Sequence, residues 1–276
     1  MDKEIREIVF DNDLKIEAYR FQGVVQEFPN HFHEHYTIGF MESGNRRVDI
    51  NGTEFHAERH DLVLLNPMDS HTCRHADERL MDYRGINIPR ETMMSATLEI
   101  YGKQMLPRFI LPVAHQSELA PQLRDLHTMV MGGFSPLAKE EAFLLMLDPL
   151  IREYAVQEER GAGTEASAKI RLACDYIEGN YARRITLDDL GKVSGLRKYP
   201  FLRAFAREKG ITPYSYLLTV RVEVARRLLE NGTPLLETAL QTGFSDQSHF
   251  CNFFKKIIGL TPKQYAEVFN EKGVQG

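Results

Sequence analysis

Three histidines, His31, His33 and His35, occupy alternate positions in PNHFHEHYTIGFMESG, and a fourth, His71, follows NPMDS. Alternate side chains of a strand share a face. The imidazoles can therefore converge with His71, and such a group suits zinc, nickel, iron or manganese. His33, His35 and His71 are the candidate metal ligands. Glu42 lies too far along the chain for a tight histidine–glutamate pair, and Glu34 points away from its histidine neighbours in a regular strand. The same histidines can instead be structural groups or contacts for a small organic molecule.

A second chemistry is carried near the other end of the chain. A short helix, a glycine-containing turn and a longer helix occur twice, in LDDLGKVSGLRKYPFLRAFAREKGITPYSY and LLETALQTGFSDQSHFCNFFKKIIGLTPKQY. Phe201 aligns with Phe250, Phe205 with Phe254, and Gly210-Ile211-Thr212-Pro213 with Gly259-Leu260-Thr261-Pro262. Phenylalanines four apart share a helix face and form core. The opposite face then presents Lys198, Tyr199, Leu202, Arg203 and Arg207 in the first copy, and Gln247, Ser248, Asn252 and Lys255 in the second. Arginine can hold guanine bidentately or clamp phosphate, and asparagine can read adenine. His249 reads as a packing or phosphate-side residue.

The elements that must position these groups are legible from period and punctuation. Residues 5–90 read as short strands separated by turns. Asn51-Gly52 marks a hairpin, and Asp61 leads into the apolar strand Leu62 to Leu65, ended by Asn66-Pro67. A double-sheet jelly-roll barrel fits that meander. From about 115 the apolar period becomes helical. Ser135-Pro136 opens a second helix over 136–157, with Leu137, Phe143, Leu144, Leu147, Leu150, Ile151 and Tyr154 on its buried side and Pro149 as a kink or stop. EERGAGTEA, 158–166, reads as a linker. The remainder is a series of short helices, with 213–230 as a strut between the two repeated units.

Charge divides at the same place. The chain of 276 residues carries a formal −5, but residues 1–164 hold 17 Lys+Arg against 27 Asp+Glu, whereas 165–276 hold 17 against 12. Only the second part has the sign a phosphate backbone favours. Three widely spaced cysteines and the lack of an apolar membrane or signal run point to a reduced, cytoplasmic setting.

The duplicated unit resembles the AraC/XylS family of transcription regulators over residues 168 to about 268, most closely in GFSDQSHFCNFFKKIIGLTPKQY. The resemblance implies that each unit enters the major groove of one duplex, about one turn apart, and that Arg203 contacts bases. Two departures stand out. Arg197 and Pro200 replace the usual serine cap and tyrosine of the first recognition helix, and Asn252 stands where the family commonly has arginine. Pro29, His31, His33, Tyr36 and Gly44, with Asn66, Pro67 and His71, resemble the family's cupin-like sensory domain. That implies a barrel taking a small effector.

The expectation is a two-domain regulator. It has an all-β cupin-like jelly-roll barrel at 1–112, helices for dimerisation and a linker at 113–160, and an all-α domain at 165–276 with two helix-turn-helix units joined by a long helix. His31, His33, Tyr36, Arg46, His71 and Tyr83 are the expected effector contacts. The expected partners are double-stranded promoter DNA, a small-molecule effector, a second copy of the chain and, by resemblance, RNA polymerase. Activation is the expected outcome, without catalysis, membrane association or a required cofactor beyond a possible divalent metal. The rivals are a metal-dependent cupin enzyme or metal sensor fused to a DNA-binding domain, and a constitutive architectural protein whose barrel only dimerises.

Overall fold

A computed structural model describes residues 4–157 and 165–270. Of these, 4–27 and 33–157 form one compact unit, and 28–32 with 165–270 form another. Most of the predicted linker, 158–164, lies outside the described residues.

The first unit begins with β1 (Ile5–Asp11) and β2 (Ile16–Val24). After β3 (Phe28–His31), which clusters with the second unit, come β4 (Tyr36–Ser43), β5 (Asn45–Ile50), β6 (Thr53–Glu58), β7 (Leu62–Leu65), β8 (His71–His75) and β9 (Met81–Ile88). Helix α1 (Arg90–Tyr101), short strands β10 (Pro107–Phe109) and β11 (Val113–Ala114), helices α2 (Ala120–Met131) and α3 (Pro136–Tyr154), and β12 (Ala155–Gln157) complete it. The larger sheet runs β1-β2-β9-β4-β7-β11, with antiparallel neighbours throughout. A separate sheet holds β5 between β6 and β8, both antiparallel to it. The β5–β6 hairpin turns at Asn51 and Gly52, with φ of 52° and 83°. Two successive positive φ values match the right-handed strand twist, which explains the Asn-Gly pair.

These pairings overturn the closed cupin-like jelly-roll barrel expected for residues 1–112. Closure requires hydrogen bonds continuous around the ring of strands. Here the larger sheet ends at β1 on one side and at the two-residue β11 on the other, and its strands are not shared with the β5 sheet. The domain holds these two open sheets and a two-stranded pair, β10 with β12. The alternating pattern predicted inward and outward faces correctly, but it carries no information about whether the last strand meets the first.

The larger sheet is buried on both faces. Ala18, Ile38, Phe40, Leu64 and Ile86 pack against α2 and α3 through Leu123, Leu126, Met146, Leu147 and Leu150. Its other face carries Tyr19, Gly39 and Gly85 in one cross-strand row. Helix α3 continues through Pro149 to Tyr154. Its buried side includes Phe143, Leu147, Leu150, Ile151 and Tyr154 as expected, but Leu137 is 74% exposed and Leu144 only half-buried. Leu137 lies in the first turn of α3. Helix α1 was not foreseen; its sequence RETMMSATLEIY has little apolar periodicity.

The second unit consists of α4 (Glu165–Asn180), α5 (Leu187–Ser194), α6 (Lys198–Lys209), α7 (Pro213–Glu230), α8 (Leu235–Gln241), α9 (Gln247–Ile258) and α10 (Pro262–Asn270), together with β3. Thr186 caps α5 in a reciprocal box with Asp189, Thr212 caps α7, and Asp246 caps α9 by accepting from the His249 amide. Gly195, Gly210 and Gly259 end α5, α6 and α9 in the left-handed region. No described helix is long and apolar enough to cross a membrane.

Candidate functional site

Each repeated unit buries one face of its second helix. Phe201 and Phe205 of α6 are fully buried with their rings 5.6 Å apart, and Phe205 meets Tyr216 of α7 edge-on at 5.5 Å. Phe250 and Phe254 of α9 repeat the arrangement at 5.7 Å, and Phe254 meets Tyr265 of α10 at 5.6 Å. Phenylalanines on one face leave the opposite face of each helix free of the core.

Those opposite faces hold the residues predicted to meet DNA. On α6, Lys198, Tyr199, Arg203 and Arg207 are exposed, while Leu202 is half-buried. On α9, Gln247, Ser248, Asn252 and Lys255 are exposed. Lys198 Nζ lies 2.9 Å from Asp188 Oδ2 of α5, an exposed pair of small energetic weight that a phosphate can displace. Tyr199, 70% exposed, has no reason in the packing of its own unit to be a large aromatic. His249 packs edge-on against Phe244 at 5.5 Å, in keeping with a packing role. Arg197 is the N-cap residue of α6 and gives no side-chain cap, and Pro200 sits in its first turn, where proline is tolerated.

The strut locks the two units together. Arg221 of α7 donates from Nε to the Tyr181 carbonyl at 2.8 Å and from Nη2 to the Arg183 carbonyl at 3.1 Å, while its guanidinium lies 5.7 Å from the centre of the Phe244 ring. It thereby ties the loop after α4 to the turn before α9. Arg226 of α7 reaches Tyr265 Oη at 3.1 Å, and Tyr265 donates to Glu230 at 2.6 Å, fixing α10. Sequence reading missed both arginines as organising residues, because only the fold shows which carbonyls they meet.

The predicted effector and metal residues belong to several elements. Arg46 and His71 share one face of the β5 sheet with Val48, Ile50 and Cys73. Tyr83 lies on the larger sheet, its ring against Gly39. His33 stacks on His35 at 4.8 Å and is tilted to His71 at 5.2 Å. Burial pushes the His71 imidazole below its ordinary pKa, although the Asp69 carbonyl, 3.1 Å from Nδ1, opposes this. Tyr36 donates to the Pro107 carbonyl at 2.8 Å and belongs to the core between sheet and helices. His31 lies in the segment that clusters with the second unit, its Nδ1 2.6 Å from the Pro29 carbonyl. Glu42 is held by Arg124 through Nε at 2.7 Å and Nη2 at 3.0 Å, so its carboxylate is engaged away from the imidazoles. Tyr19, Gly39 and Gly85 on the larger sheet and Cys73 on the β5 sheet share faces with Tyr83 and Arg46 and were not singled out from the sequence. Isolated glycines within strands were the available signal, since they mark close approach to a strand surface.

Known proteins are similar to this chain over both units. Residues 190–267 match the helix-turn-helix domain family and residues 13–147 the AraC-like ligand binding domain family. The HTH-type transcriptional regulator YbfI of Bacillus subtilis is 43% identical over 249 residues, covering 90% of each chain. The HTH-type transcriptional activator RhaS of Klebsiella pneumoniae is 22% identical over 251 residues, covering 86% of each. Among solved structures, ToxT of Vibrio cholerae aligns with a TM-score of 0.54 at 15% identity, covering 92% of this chain and 97% of that one, a likeness of fold. Two helix-turn-helix units around a shared strut, and whole-length relatives that are regulators rather than enzymes, lead to one conclusion: the chain is a non-catalytic, DNA-binding transcription regulator belonging to the AraC/XylS family.

Proposed function

We propose that this regulator binds a specific promoter sequence by placing α6 and α9 in successive major-groove segments of one duplex, and that a small molecule held between the two sheets of the β unit sets its promoter occupancy. The observation that carries the DNA reading is the repeated exposure of polar and basic side chains on α6 and α9 opposite matched phenylalanine cores. Arg203 and Arg207 read or clamp guanine and phosphate, and Asn252 with Gln247 reads adenine. The effector acts by stabilising one arrangement over another, which requires a difference in its affinity for the two. Activation follows the resemblance to RhaS, named an activator.

Selection of duplexes from a random library at physiological salt tests the reading. Enrichment of two contact segments about ten base pairs apart supports it; no enrichment, with and without a metabolite extract, defeats it. Transcription from the selected site with purified RNA polymerase decides activation against repression.

The helices α2 and α3 serve dimerisation in this reading. Leu137 and Leu145 are 74% and 65% exposed, and they lie eight residues apart, so they share a helix face. A Leu137→Glu, Leu145→Glu double variant is expected to be monomeric by light scattering; an unchanged mass rules this face out.

A second reading, in which the β unit senses a divalent metal, is favoured by the nearness of the His33 ring to both His35 and His71. Loss of site-specific DNA binding on chelation, restored by one metal, would support it.

A further inference from the structure

The loop between α4 and α5, residues 181–186, gathers positive charge and answers none of it with a carboxylate. Arg183 and Arg184 are both exposed. Arg221 of α7 reaches the same loop, with Nε donating to the Tyr181 carbonyl at 2.8 Å and Nη2 to the Arg183 carbonyl at 3.1 Å. Among the described residues, no carboxylate forms an ion pair with any of the three. The acids at the start of α5 are engaged elsewhere, Asp188 with Lys198 at 2.9 Å and Asp189 with Thr186 in the cap. Like charges gathered on one short loop repel, and an anion from outside relieves them.

The loop is also held in place before any partner arrives. Arg221 fixes two of its carbonyls, and the Arg183 amide donates to the Asn180 carbonyl at 2.9 Å. The Ala182 carbonyl lies where a Cβ on Gly243 would have to go, so the loop abuts the turn between α8 and α9. At its other end Thr186 caps α5 directly. A loop fixed in advance presents its side chains without the ordering cost of a free one. Its two neighbours are the parts of a helix-turn-helix unit that meet DNA. The first helix of such a unit crosses the backbone, and the recognition helix enters the groove with its N-terminal residues foremost. The loop leads straight into α5, the first helix of the first unit, and rests on the turn that leads into α9, the recognition helix of the second. When α6 and α9 occupy major-groove segments about one turn apart, the duplex face between them shows a minor groove bordered by two phosphate strands. A loop fixed to both units lies over that strip.

We propose that Arg183 and Arg184 clamp phosphates of the backbone bordering the minor groove between the two major-groove segments, a third DNA contact separate from α6 and α9. The inference rests on the reading that both helices enter one duplex, and it adds the contact that sets their register on it. Phosphate contacts fix position and supply affinity, and they carry no base identity. Arg221 is the positioning residue of this clamp: it touches no DNA itself and holds the backbone from which the two arginines project.

The test uses the full chain and the duplex recovered by selection. Affinity is measured from about 50 to about 200 mM salt, on that duplex and on one of scrambled sequence. The Arg183→Gln, Arg184→Gln double variant is expected to weaken both duplexes by the same factor. It is also expected to reduce the steepness of log affinity against log salt by about 1 for each arginine. Selection repeated with this variant is expected to return the wild-type bases. Arg183→Lys with Arg184→Lys keeps the charge and is expected to keep the wild-type slope. An unchanged slope in the Gln variant overturns the proposal. So does a loss confined to the selected duplex with altered bases between the two segments, which makes the arginines readers of the minor groove. Location is tested with neutral methylphosphonates at the phosphates bordering the central minor groove. These are expected to weaken the wild type several-fold and the Gln variant no further. Equal weakening of both proteins places the arginines elsewhere and overturns the clamp. This comparison stands even where the Gln variant is less stable, because each protein is its own reference. If selection enriches no site, the reading of α6 and α9 fails, and the salt slope on the scrambled duplex still decides whether Arg183 and Arg184 hold phosphate.

Discussion

Gly243, in the turn between α8 and α9, sits so close to the Ala182 carbonyl that a Cβ built on it would lie 2.5 Å from the oxygen. Its φ of +76° is also one that residues with a side chain adopt at a cost. The second helix-turn-helix unit is thereby set directly on the loop after α4. Gly243→Ala is expected to lose about 2–4 kcal/mol of stability, the sum of backbone strain and displaced contact. Denaturant unfolding measures this, and an unchanged midpoint would show that the loop yields freely.

Arg203 lies on the exposed face of α6, one turn from Tyr199. Arg203→Ala is expected to cost about 1–3 kcal/mol for the selected site, or about 10- to 100-fold in affinity, and to relax preference at one base position. A uniform loss across all sequences, with a shallower salt slope, would reassign it to phosphate. Asn252→Arg supplies the group that the family commonly has there and is expected to change the bases preferred by α9, read by repeating the selection.

The buried Lys139 of α3 lies 2.5 Å from Asp11 and 2.6 Å from Asp13. Burial pushes the Asp11 carboxyl up, but the hydrogen bond from Lys139 and nearby amides outweigh this and hold it below its ordinary value. The carboxylates raise Lys139 despite its own burial. The contribution of Asp11 is present above its unfolded value of 3.8 and is lost as pH falls through the lower folded value. That of Lys139 is present below 10.5 and is lost as pH rises through its raised folded value. Lys139→Met strands a buried carboxylate, and at neutral pH it is expected to cost about 3–5 kcal/mol. The deficit should shrink in acid, where Asp11 is protonated; a pH-independent deficit would point to packing alone.

Asp246 caps α9, accepting from the His249 amide at 2.7 Å. That bond, with one from Ser245, holds its carboxyl below the ordinary value. Asp246→Ala is expected to lower the unfolding midpoint at neutral pH, and by less as the wild-type carboxyl protonates, below its ordinary 3.8. Asp246→Asn, which keeps the acceptor, should lie close to wild type; the midpoint of thermal unfolding across pH separates these outcomes.

What the sequence determined by itself was local and repetitive. Phe201 and Phe205, Phe250 and Phe254, the caps Thr186, Thr212 and Asp246, and the glycines after α5 and α6 write helix faces and ends into short windows of chain, where spacing alone decides which side is buried. The same holds for the Asn51-Gly52 hairpin. The tertiary structure decided what depends on distant partners. Whether the β strands close into a barrel turns on the meeting of first and last strands, which no local pattern encodes, and here the larger sheet stays open from β1 to β11. Arg46 and Tyr83 were expected effector contacts from their residue types alone, a positive and an aromatic group in the β unit. Only the tertiary structure shows that Gly39 pairs with Gly85 beneath Tyr83 and that the Arg46 guanidinium reaches the Val24 carbonyl. Tyr36 went into the core as the first residue of β4, whereas His33 and His35 lie outside any strand, so the alternation expected for the histidines does not apply to them.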